Sequence, residues 1–404
     1  MPSRIIARFF VCGVNLVLGT FFQAGLLAQG PTIVERRPAA VRRWDTLATR
    51  VVRMDLRVHP GERVRIVGPA SSAPLLESLM VAVAEAGGIV EGQLQSNAVA
   101  QVTLSEPSDS VYLARHLPTA ADRLDAARFD ATIILYGRDA DYRGFLATLP
   151  QSRRAILADT LPRRWADIHS RSRYISLALP GYGDALAAGR PFDSLLAESL
   201  RPIGAEAGAI DREGRRLADA LTHARRIVIT SPDGTRLTTR PVARPPAIES
   251  GAFTDALLGK AGASVYLPAG RVALFVDPAS TDGEVTVPED DCIEPVHGLT
   301  VAIAHGAPSV VRAAQDTACL RSVIGRTKHV SYLTIGLNPL LEVDPTARQV
   351  AAARKAGVVA VDLGSDADIG GVNGIPDRWE LILPKATVVA DGVTVVQDGS
   401  IVPP

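Results

Sequence analysis

Residues 63–90, with the sequence RVRIVGPASSAPLLESLMVAVAEAGGIV, decide the fold of the first half of the chain. Val64 and Ile66 alternate with arginines, which matches the two-residue period of a strand. A helix is expected next, because Ser72 can cap its amino terminus and Pro74 fits its first turn. Apolar residues then recur at three- and four-residue steps: Leu75, Leu76, Leu79, Met80 and Val83. A Gly-Gly pair stops this helix before Ile-Val opens another strand, so the stretch predicts a strand–helix–strand unit.

The alternation of strands and helices continues outward from this unit. Upstream, apolar residues at helical spacing begin at Trp44. Downstream, strand-like runs lie at residues 132–136, 155–157 and 174–179, with helical stretches between them. We therefore predict an open α/β amino-terminal domain over residues 44–222.

The character of the chain changes after residue 225. Ile227-Val228-Ile229 leads into Ser-Pro-Asp-Gly and a second short apolar run, which is the signal of a hairpin. Short strands separated by Gly, Pro and Asp continue through Val287, and residues 387–399 have the pattern of another β ribbon. We predict a second, β-rich α+β domain over residues 225–404.

The amino-terminal residues have the pattern of an export signal. Arg4 and Arg8 supply a basic start, and residues 9–27 form an apolar run that only three polar residues interrupt. We therefore expect a signal peptide over residues 1–28, an exported, periplasmic or secreted protein, and a lead-in segment over residues 31–43. An uncleaved membrane anchor is the alternative, because a run of this length can span a bilayer.

Composition limits the class of partner. The 43 basic and 43 acidic residues give a formal charge of zero, which argues against nucleic acid or an anionic membrane surface. Two cysteines, Cys292 and Cys319, remain after the predicted signal peptide. They can pair in an oxidising compartment, and two unpaired buried thiols are the alternative. No Cys/His cluster has the spacing of a zinc site.

Five short motifs are spread in order over nearly the whole chain. They are LRVHPGERV at 56–64, PDGTRLT at 232–238, LPAGRV at 267–272, IGLNP at 335–339 and GGVN at 370–373. This ordered set resembles the aminopeptidase T family of dinuclear metallo-aminopeptidases, whose matching motifs include GTDLT, LPxGEV, GxNP and GGxN. The resemblance implies an α/β amino-terminal domain, a carboxy-terminal domain that carries two metal ions, and homodimers formed through the carboxy-terminal domains.

The resemblance also locates the family's catalytic positions, and the expected residue is missing at each of them. The glutamates expected in LPxGEV and before GxNP are replaced, as are two histidines, an aspartate and the tyrosine that would stabilise the transition state. The residues found there are Arg271, Tyr332, Ala360, Arg378, Glu380 and, for the tyrosine, Ala367. Arginine is worse than a neutral loss, because a guanidinium cannot give up its proton to bind a metal and repels it.

We favour an exported pseudo-peptidase, because five ligand positions change together. Such a protein would hold no metal and would bind a peptide, a small ligand or a partner in the interdomain cleft. Arg271 and Arg378 would neutralise Glu380 in place of the lost ions. A positively lined cleft for a substrate carboxylate or phosphate is the alternative role of these arginines.

Two enzymatic hypotheses stay open. In the first, the protein is an active aminopeptidase with zinc or cobalt held by substitute ligands, namely Glu284, His329, Asp362 and Glu380. Glu284 enters because Gly-Glu-Val at 283–285 allows another alignment with LPxGEV. In the second, the fold carries another chemistry. Relatives of the family include iron-dependent ring-cleaving dioxygenases, which need a histidine-rich site that Ala360 and Arg378 remove.

Overall fold

The computed structural model describes residues 37–140, 142–157, 172–260, 262–291, 295–313, 324–342, 352–375 and 377–403. From Ala39 onward the described residues belong to one compact unit. The predicted signal peptide over residues 1–28 lies outside the described residues, as do Cys292 and Cys319. None of the helices among the described residues is long and apolar enough to cross a lipid bilayer.

The described part of the chain forms a mixed α/β structure. Its α-helices are α1 Ala39–Arg42, α2 Asp45–Arg50, α3 Ala73–Glu85, α4 Asn97–Leu104, α5 Asp109–His116, α6 Ala120–Ala126, α7 Tyr142–Thr148, α8 Gln151–Ala155, α9 Tyr182–Ala187, α10 Phe192–Ile203, α11 Ala207–Thr222 and α12 Asp255–Leu258. A π-helical turn, Val51–Asp55, extends α2, and short 3-10 helices lie at Ala70–Ser72, Pro278–Ser280, Ala352–Arg354 and Ala367–Ile369.

The strands of the described residues form one parallel sheet and two antiparallel sheets. They are β1 Arg63–Pro69, β2 Ile89–Gln95, β3 Ala131–Tyr136, β4 Arg173–Ala178, β5 Ile227–Thr230, β6 Arg236–Thr239, β7 Ala247–Glu249, β8 Ser264–Leu267, β9 Arg271–Phe275, β10 Asp282–Asp291, β11 Pro295–Ala304, β12 Ala307–Arg312, β13 Val330–Gly336, β14 Val359–Gly364, β15 Arg378–Leu383, β16 Thr387–Ala390, β17 Val393–Gln397 and β18 Ser400–Ile401.

The first sheet has the order β2-β1-β3-β4-β8 and is parallel, which confirms the predicted strand–helix–strand unit. One face of it packs on α2, α3 and α10 in an apolar core that includes Val64, Ile66 and Leu79. The prediction that the Ser72 side chain caps α3 is wrong. The Ser72 hydroxyl donates to the carbonyl of Pro69 at 2.7 Å and makes no bond to the helix.

The predicted strand at residues 155–157 is wrong. Residue 155 ends α8, and residues 156 and 157 continue as a π turn. A short apolar run does not by itself distinguish a strand from a helix. Here contacts with distant residues favour the helix. The buried Arg153 guanidinium donates to the carbonyls of Leu104 and Glu106 and so fixes α8 against α4.

The other two sheets carry the second half of the chain. One has the order β12-β11-β10-β6-β5-β16-β17-β18, and the other has the order β15-β14-β13-β9-β7. The hairpin of β5 and β6 and the ribbon of β16 and β17 confirm the predicted turns. Strands of both sheets and α11 share a second large apolar core. Strand β8 belongs to this half by sequence, yet it pairs with β4 in the parallel sheet.

Candidate functional site

The candidate site lies on one face of the sheet β15-β14-β13-β9-β7. Side chains alternate across a strand, and Val272, Leu333 and Val361 lie in the apolar core on one face. Their neighbours in sequence therefore lie on the other face. Pairing between strands places the charged residues side by side, because Glu249 pairs with Arg271, and Asp362 pairs with both Tyr332 and Glu380.

Arginines and carboxylates alternate along this face. Arg354 Nη2 lies 3.2 Å from one carboxylate oxygen of Glu249 and 3.3 Å from the other. Arg271 Nε donates to the same carboxylate at 2.6 Å. The Arg271 Nη1 atom lies 3.8 Å from Glu380, so Arg271 connects two carboxylates. We call Glu249, Arg271, Arg354, Asp362, Arg378 and Glu380 the charge cluster.

Arg378 completes the charge cluster at its other end. It contacts the Glu380 carboxylate directly and donates through Nη2 to Asp362 at 2.9 Å. Its guanidinium also lies 5.4 Å from the centre of the Tyr332 ring, within the range of a cation–π contact. The second oxygen of Asp362 accepts a hydrogen bond of 2.7 Å from the Thr334 hydroxyl.

Burial controls the electrostatics of Asp362. The residue is 0% exposed, and desolvation raises its pKa to about 7, although the Arg378 charge and the Thr334 hydroxyl act in the opposite direction. Arg271 is 3% exposed and Arg354 is 9% exposed, so their charges also lie away from water. Buried guanidiniums and carboxylates remain charged only when they are paired. The pairs of Glu249 and Glu380 meet this requirement, and Asp362 is ionised above about pH 7.

The structure brings together Arg271, Tyr332, Arg378 and Glu380, four of the positions that the family resemblance selected, and Asp362, a proposed substitute ligand. Two more of those positions lie nearby in the chain but do not take part in the ion pairs. Ala360 is a buried residue of β14, paired with Thr334 and Ile382, and Ala367 begins a 3-10 helix after that strand.

The other proposed substitute ligands lie elsewhere. Glu284 is on β10 of the eight-stranded sheet, where it pairs with Arg236 and Ala302. His329 precedes β13, and burial lowers its pKa even though the Asp366 carboxylate favours its charged form. Within the described part of the chain, these two residues do not join Asp362 and Glu380 in one group of possible metal ligands.

Sequence reasoning missed Glu249, Thr334 and Arg354. Glu249 ends the three-residue strand β7, and Arg354 ends a single 3-10 turn. Neither element carries a motif. The only available signal is an isolated charge beside apolar residues, which does not identify a partner more than a hundred residues away in sequence.

The motif-like segments around the site have structural roles. Gly270, in Leu-Pro-Ala-Gly, has a φ of +123°, and a Cβ added there would lie 2.8 Å from the backbone nitrogen of Asn338. Asn338, in Gly-Leu-Asn-Pro, donates its side-chain amide to the carbonyls of Ala269 at 2.7 Å and Pro202 at 3.0 Å. The Leu-Pro-Ala-Gly and Gly-Leu-Asn-Pro segments therefore pack against each other, and the Asn338 amide connects α10 to the start of β9.

The Gly-Gly-Val-Asn segment closes on the end of β14. A Cβ added to Gly371 would lie 1.7 Å from Cγ of Asp366, so only glycine fits there. The Asn373 side-chain amide donates to the carbonyl of Gly364 at 2.5 Å and to the Ser331 hydroxyl at 3.1 Å. Glycine packing and asparagine hydrogen bonds thus hold these motif-like segments in place, and neither involves a metal ligand.

The residues present do not fit a two-metal centre. Each carboxylate of the charge cluster contacts a guanidinium, and two arginines stand at positions where ligands were expected. Within the described ranges, no three side chains of His, Cys, Asp or Glu form a group that could hold a metal ion.

The architecture is that of a two-domain α/β protein of the aminopeptidase T type. Among solved structures, aminopeptidase T (AmpT) from Thermus thermophilus is similar, with a TM-score of 0.69, 14% identity, and coverage of 90% of this chain and 100% of that chain. The 2,5-dihydroxypyridine dioxygenase from Pseudomonas putida KT2440 is also similar, with a TM-score of 0.55, 16% identity, and coverage of 91% and 99%. At these identities the likeness shows the fold.

No family model matches the chain. No curated protein matches it by sequence either.

Proposed function

We propose that this protein is an aminopeptidase-T-like binding protein that holds a peptide and does not cleave it through two metal ions. The charge cluster carries this proposal, because three arginines and three carboxylates neutralise one another on the sheet face where the family resemblance places the metals. The proposal includes export after loss of residues 1–28 and a homodimer, as the signal-like sequence and the family resemblance indicate.

The energetics of the charge cluster support the proposal. A metal ion at Glu249, Asp362 or Glu380 would have to displace a guanidinium that now pairs with that carboxylate, and the buried Arg271 would lose such a pair. Breaking a buried pair by removal of one partner costs roughly 3–5 kcal/mol. Arg271 lies between Glu249 and Glu380, so a metal at either carboxylate would meet its positive charge at short range.

Elemental analysis tests the proposal. The mature protein is purified without chelator, and parallel samples are incubated with zinc, cobalt or manganese before removal of excess ions. We expect far less than one ion per chain in every sample and no release of leucine from leucyl peptides. A near-stoichiometric ion together with leucine release would overturn the proposal in favour of the active aminopeptidase.

Two matched variants would locate the catalytic site if leucine release is observed. Glu380→Gln changes a member of the charge cluster, and Glu284→Gln changes a carboxylate of the other antiparallel sheet. If leucine release is seen and Glu380→Gln alone removes it, Glu380 belongs to a catalytic site. If Glu284→Gln alone removes it, the site lies on the eight-stranded sheet and the proposed alignment of Arg271 is wrong.

A further inference from the structure

Strand β2 is an edge of the parallel sheet. Among the described residues it pairs only with β1. The Ile89 backbone N–H donates to the carbonyl of Glu62 at 2.8 Å, so the peptide groups of Ile89 point towards β1. Neighbouring residues of a strand direct these groups to opposite sides, and those of Val90, Gly92 and Leu94 therefore point away from β1. They form a row of donors and acceptors along the open edge of the sheet.

The segment that starts on this edge carries no charge. Residues 92–105 contain no Asp, Glu, Lys or Arg, although 21% of the residues in the chain are charged. Most of the segment is exposed, including Leu94 on β2 and Val99 and Val102 on α4, which are 58%, 61% and 75% exposed. Because α4 begins two residues after β2 ends, the uncharged surface continues beyond the strand. We call β2 and α4 the edge surface. Exposed apolar side chains in an uncharged segment are typical of the centre of a protein–protein interface.

The sequence of β2 lacks the usual protection of an edge strand. Lysine, proline and bulges commonly prevent an edge strand from pairing with another chain. Strand β2 contains neither lysine nor proline, and it pairs with β1 from Ile89 to Gln95 without a register shift. Its one charged residue, Glu91, has its carboxylate 3.9 Å from Arg65 of the neighbouring strand. The sequence of β2 therefore does not oppose the addition of another strand.

Strand β2 is complementary to a second copy of itself. A two-fold axis at Gly92 would set the two strands antiparallel, with Gly92 opposite Gly92 and Val90 opposite Leu94 of the second copy. These residues direct their peptide groups outward, and residues paired in this way exchange both N–H···O bonds in an antiparallel ladder. Glu91 would lie opposite the uncharged Gln93, so no like charges would meet. The exposed Leu94 side chain would be covered by a Val90 side chain.

We propose that the edge surface is a contact between two copies of this chain, joined by antiparallel pairing of their β2 strands about Gly92. The two parallel sheets then form one continuous sheet. A two-fold contact uses the same surface of both copies, so it closes after two copies. Residues 92–105 offer no charge to a charged partner, whereas they match their own copy in register and in apolar character. The inference does not depend on the proposed function, whose homodimer is expected through the carboxy-terminal domains.

Analytical ultracentrifugation of the mature protein at micromolar concentrations tests the contact. We expect self-association that Leu94→Lys weakens by about tenfold or more, because a lysine on an edge strand opposes pairing. Leu186→Lys is the matched control. Leu186 is 76% exposed on α9, outside the edge surface, and we expect the association of this variant to stay within about twofold of the parent. Unfolding temperatures show whether both variants are folded.

Disulfide formation tests the register. In the proposed pairing, positions 91 and 93 of different copies form a non-hydrogen-bonded pair with Cα atoms about 4.5 Å apart, within the range of about 4.4–6.8 Å for disulfides. Chains with Glu91→Cys and affinity-tagged chains with Gln93→Cys are mixed with oxidised glutathione, both with Cys292→Ser and Cys319→Ser. We expect mixed covalent dimers. A mixture of Gln93→Cys and Gln95→Cys is the control and should give a clearly smaller yield, because these positions are not opposite each other.

The outcomes decide between a second copy and other occupants. Association that Leu94→Lys weakens, together with preferential disulfides between positions 91 and 93, supports the inference whatever the metal and leucine-release measurements show. A mature protein that stays monomeric would overturn it and leave the edge surface to a different partner. Association that Leu94→Lys does not change would also overturn it, because the copies would then meet through another surface. Equal yields from the two cysteine mixtures would refute the pairing about Gly92.

Discussion

Asp362 lies wholly inside the protein between Arg378 and Thr334. Its pKa is about 7 in the folded chain, chiefly because burial disfavours its charge, and it is about 3.9 in an unfolded chain. Between these values the folded state holds a proton that the unfolded state has released. The folded state is therefore favoured at low pH, and this contribution is lost as pH rises through about 7.

The Asp362→Asn variant should remove this pH dependence. The free energy of unfolding of the parent protein should fall by up to about 4 kcal/mol between pH 4 and pH 8, compared with that of the variant. This value corresponds to a difference of about three pKa units between folded and unfolded Asp362. Urea unfolding at several pH values measures the difference. Asp233→Asn, in the exposed turn between β5 and β6, is the control and should follow the parent. Parallel curves for Asp362→Asn and the parent would show that Asp362 is ionised throughout this range.

Arg271 and Arg378 are the two arginines at positions where the family resemblance implies metal ligands. The combined substitution Arg271→Glu, Ala360→His and Arg378→His would remove two positive charges and add one negative charge and two imidazoles. The charge cluster would then change from neutral to about three negative charges, which divalent cations compensate. We expect this variant to unfold at a lower temperature than the parent and to recover in the presence of zinc or cobalt.

The control for this design is Ala360→His alone. It adds an imidazole beside Thr334 and leaves both arginines, so we expect zinc or cobalt to leave its unfolding temperature unchanged. Calorimetry on the combined variant supplies the direct measurement of affinity. A folded combined variant that takes up neither ion would refute the placement of the family's ligand positions on β9, β14 and β15.

At the scale of elements, the turn before β1 is fixed by contacts with two other elements. The Glu62 carboxylate accepts a hydrogen bond of 2.8 Å from the backbone of His59 and bonds of 2.9 and 2.5 Å from Arg173 at the start of β4. Gly61 has a φ of +85°, and its backbone nitrogen donates to the carbonyl of Gly87 at 2.8 Å. The turn thus joins β1, β4 and the end of α3.

Glu62→Gln should weaken this junction. Burial alone would raise the pKa of Glu62, but hydrogen bonds from Arg173 and the His59 backbone bring it below the usual 4.5. The stabilisation is therefore present above about pH 4.5 and is lost as pH falls through the lower, folded pKa. We expect a loss of roughly 1.5–3 kcal/mol at pH 7, the range for hydrogen bonds to charged groups. Chemical unfolding at pH 7 measures it.

An exposed ion pair provides the comparison. Glu198, with its side chain 58% exposed, contacts Arg190 at the protein surface. Glu198→Gln should change the free energy of unfolding by less than about 1 kcal/mol, because exposed pairs contribute little. Equal losses in the two variants would mean that the contacts of Glu62 contribute no more than those of a surface pair.

At the scale of the whole molecule, β8 joins the two halves of the chain. Tyr174–Leu177 of β4 pair with Ser264–Leu267, and Val265 and Leu267 are buried in the core of the parallel sheet. A fragment ending near residue 222 would therefore expose the edge of β4 and part of that core. Exposed strand edges promote association between chains.

We expect a fragment of residues 39–222 to aggregate or to bind a hydrophobic dye strongly, and residues 39–404 to do neither. Size-exclusion chromatography and dye fluorescence make the comparison. A soluble, monomeric fragment with a cooperative unfolding transition would show that the amino-terminal domain folds without β8 and that the predicted boundary at residues 222–225 is a true domain boundary.

Local patterns were enough for much of the fold. The alternation of Val64 and Ile66, the apolar face of α3 and the glycines after it depend on neighbours in sequence, so the β1–α3–β2 unit was predictable. The hairpin of β5 and β6 followed from its turn residues in the same way. The run at residues 155–157 failed, because Arg153 holds that segment in a helix through contacts with residues about fifty positions away.

The sequence by itself determined the β1–α3–β2 unit and the hairpin of β5 and β6, and it predicted arginines at two positions where the family resemblance implies metal ligands. Only the tertiary structure decided which partners those arginines find. Arg271 finds Glu249 and Glu380, and Arg378 finds Asp362, through pairing between strands that lie far apart in the chain. Ion pairs depend on distances of a few ångströms between side chains. The packing of β7, β9, β14 and β15 sets those distances, and no local pattern records them.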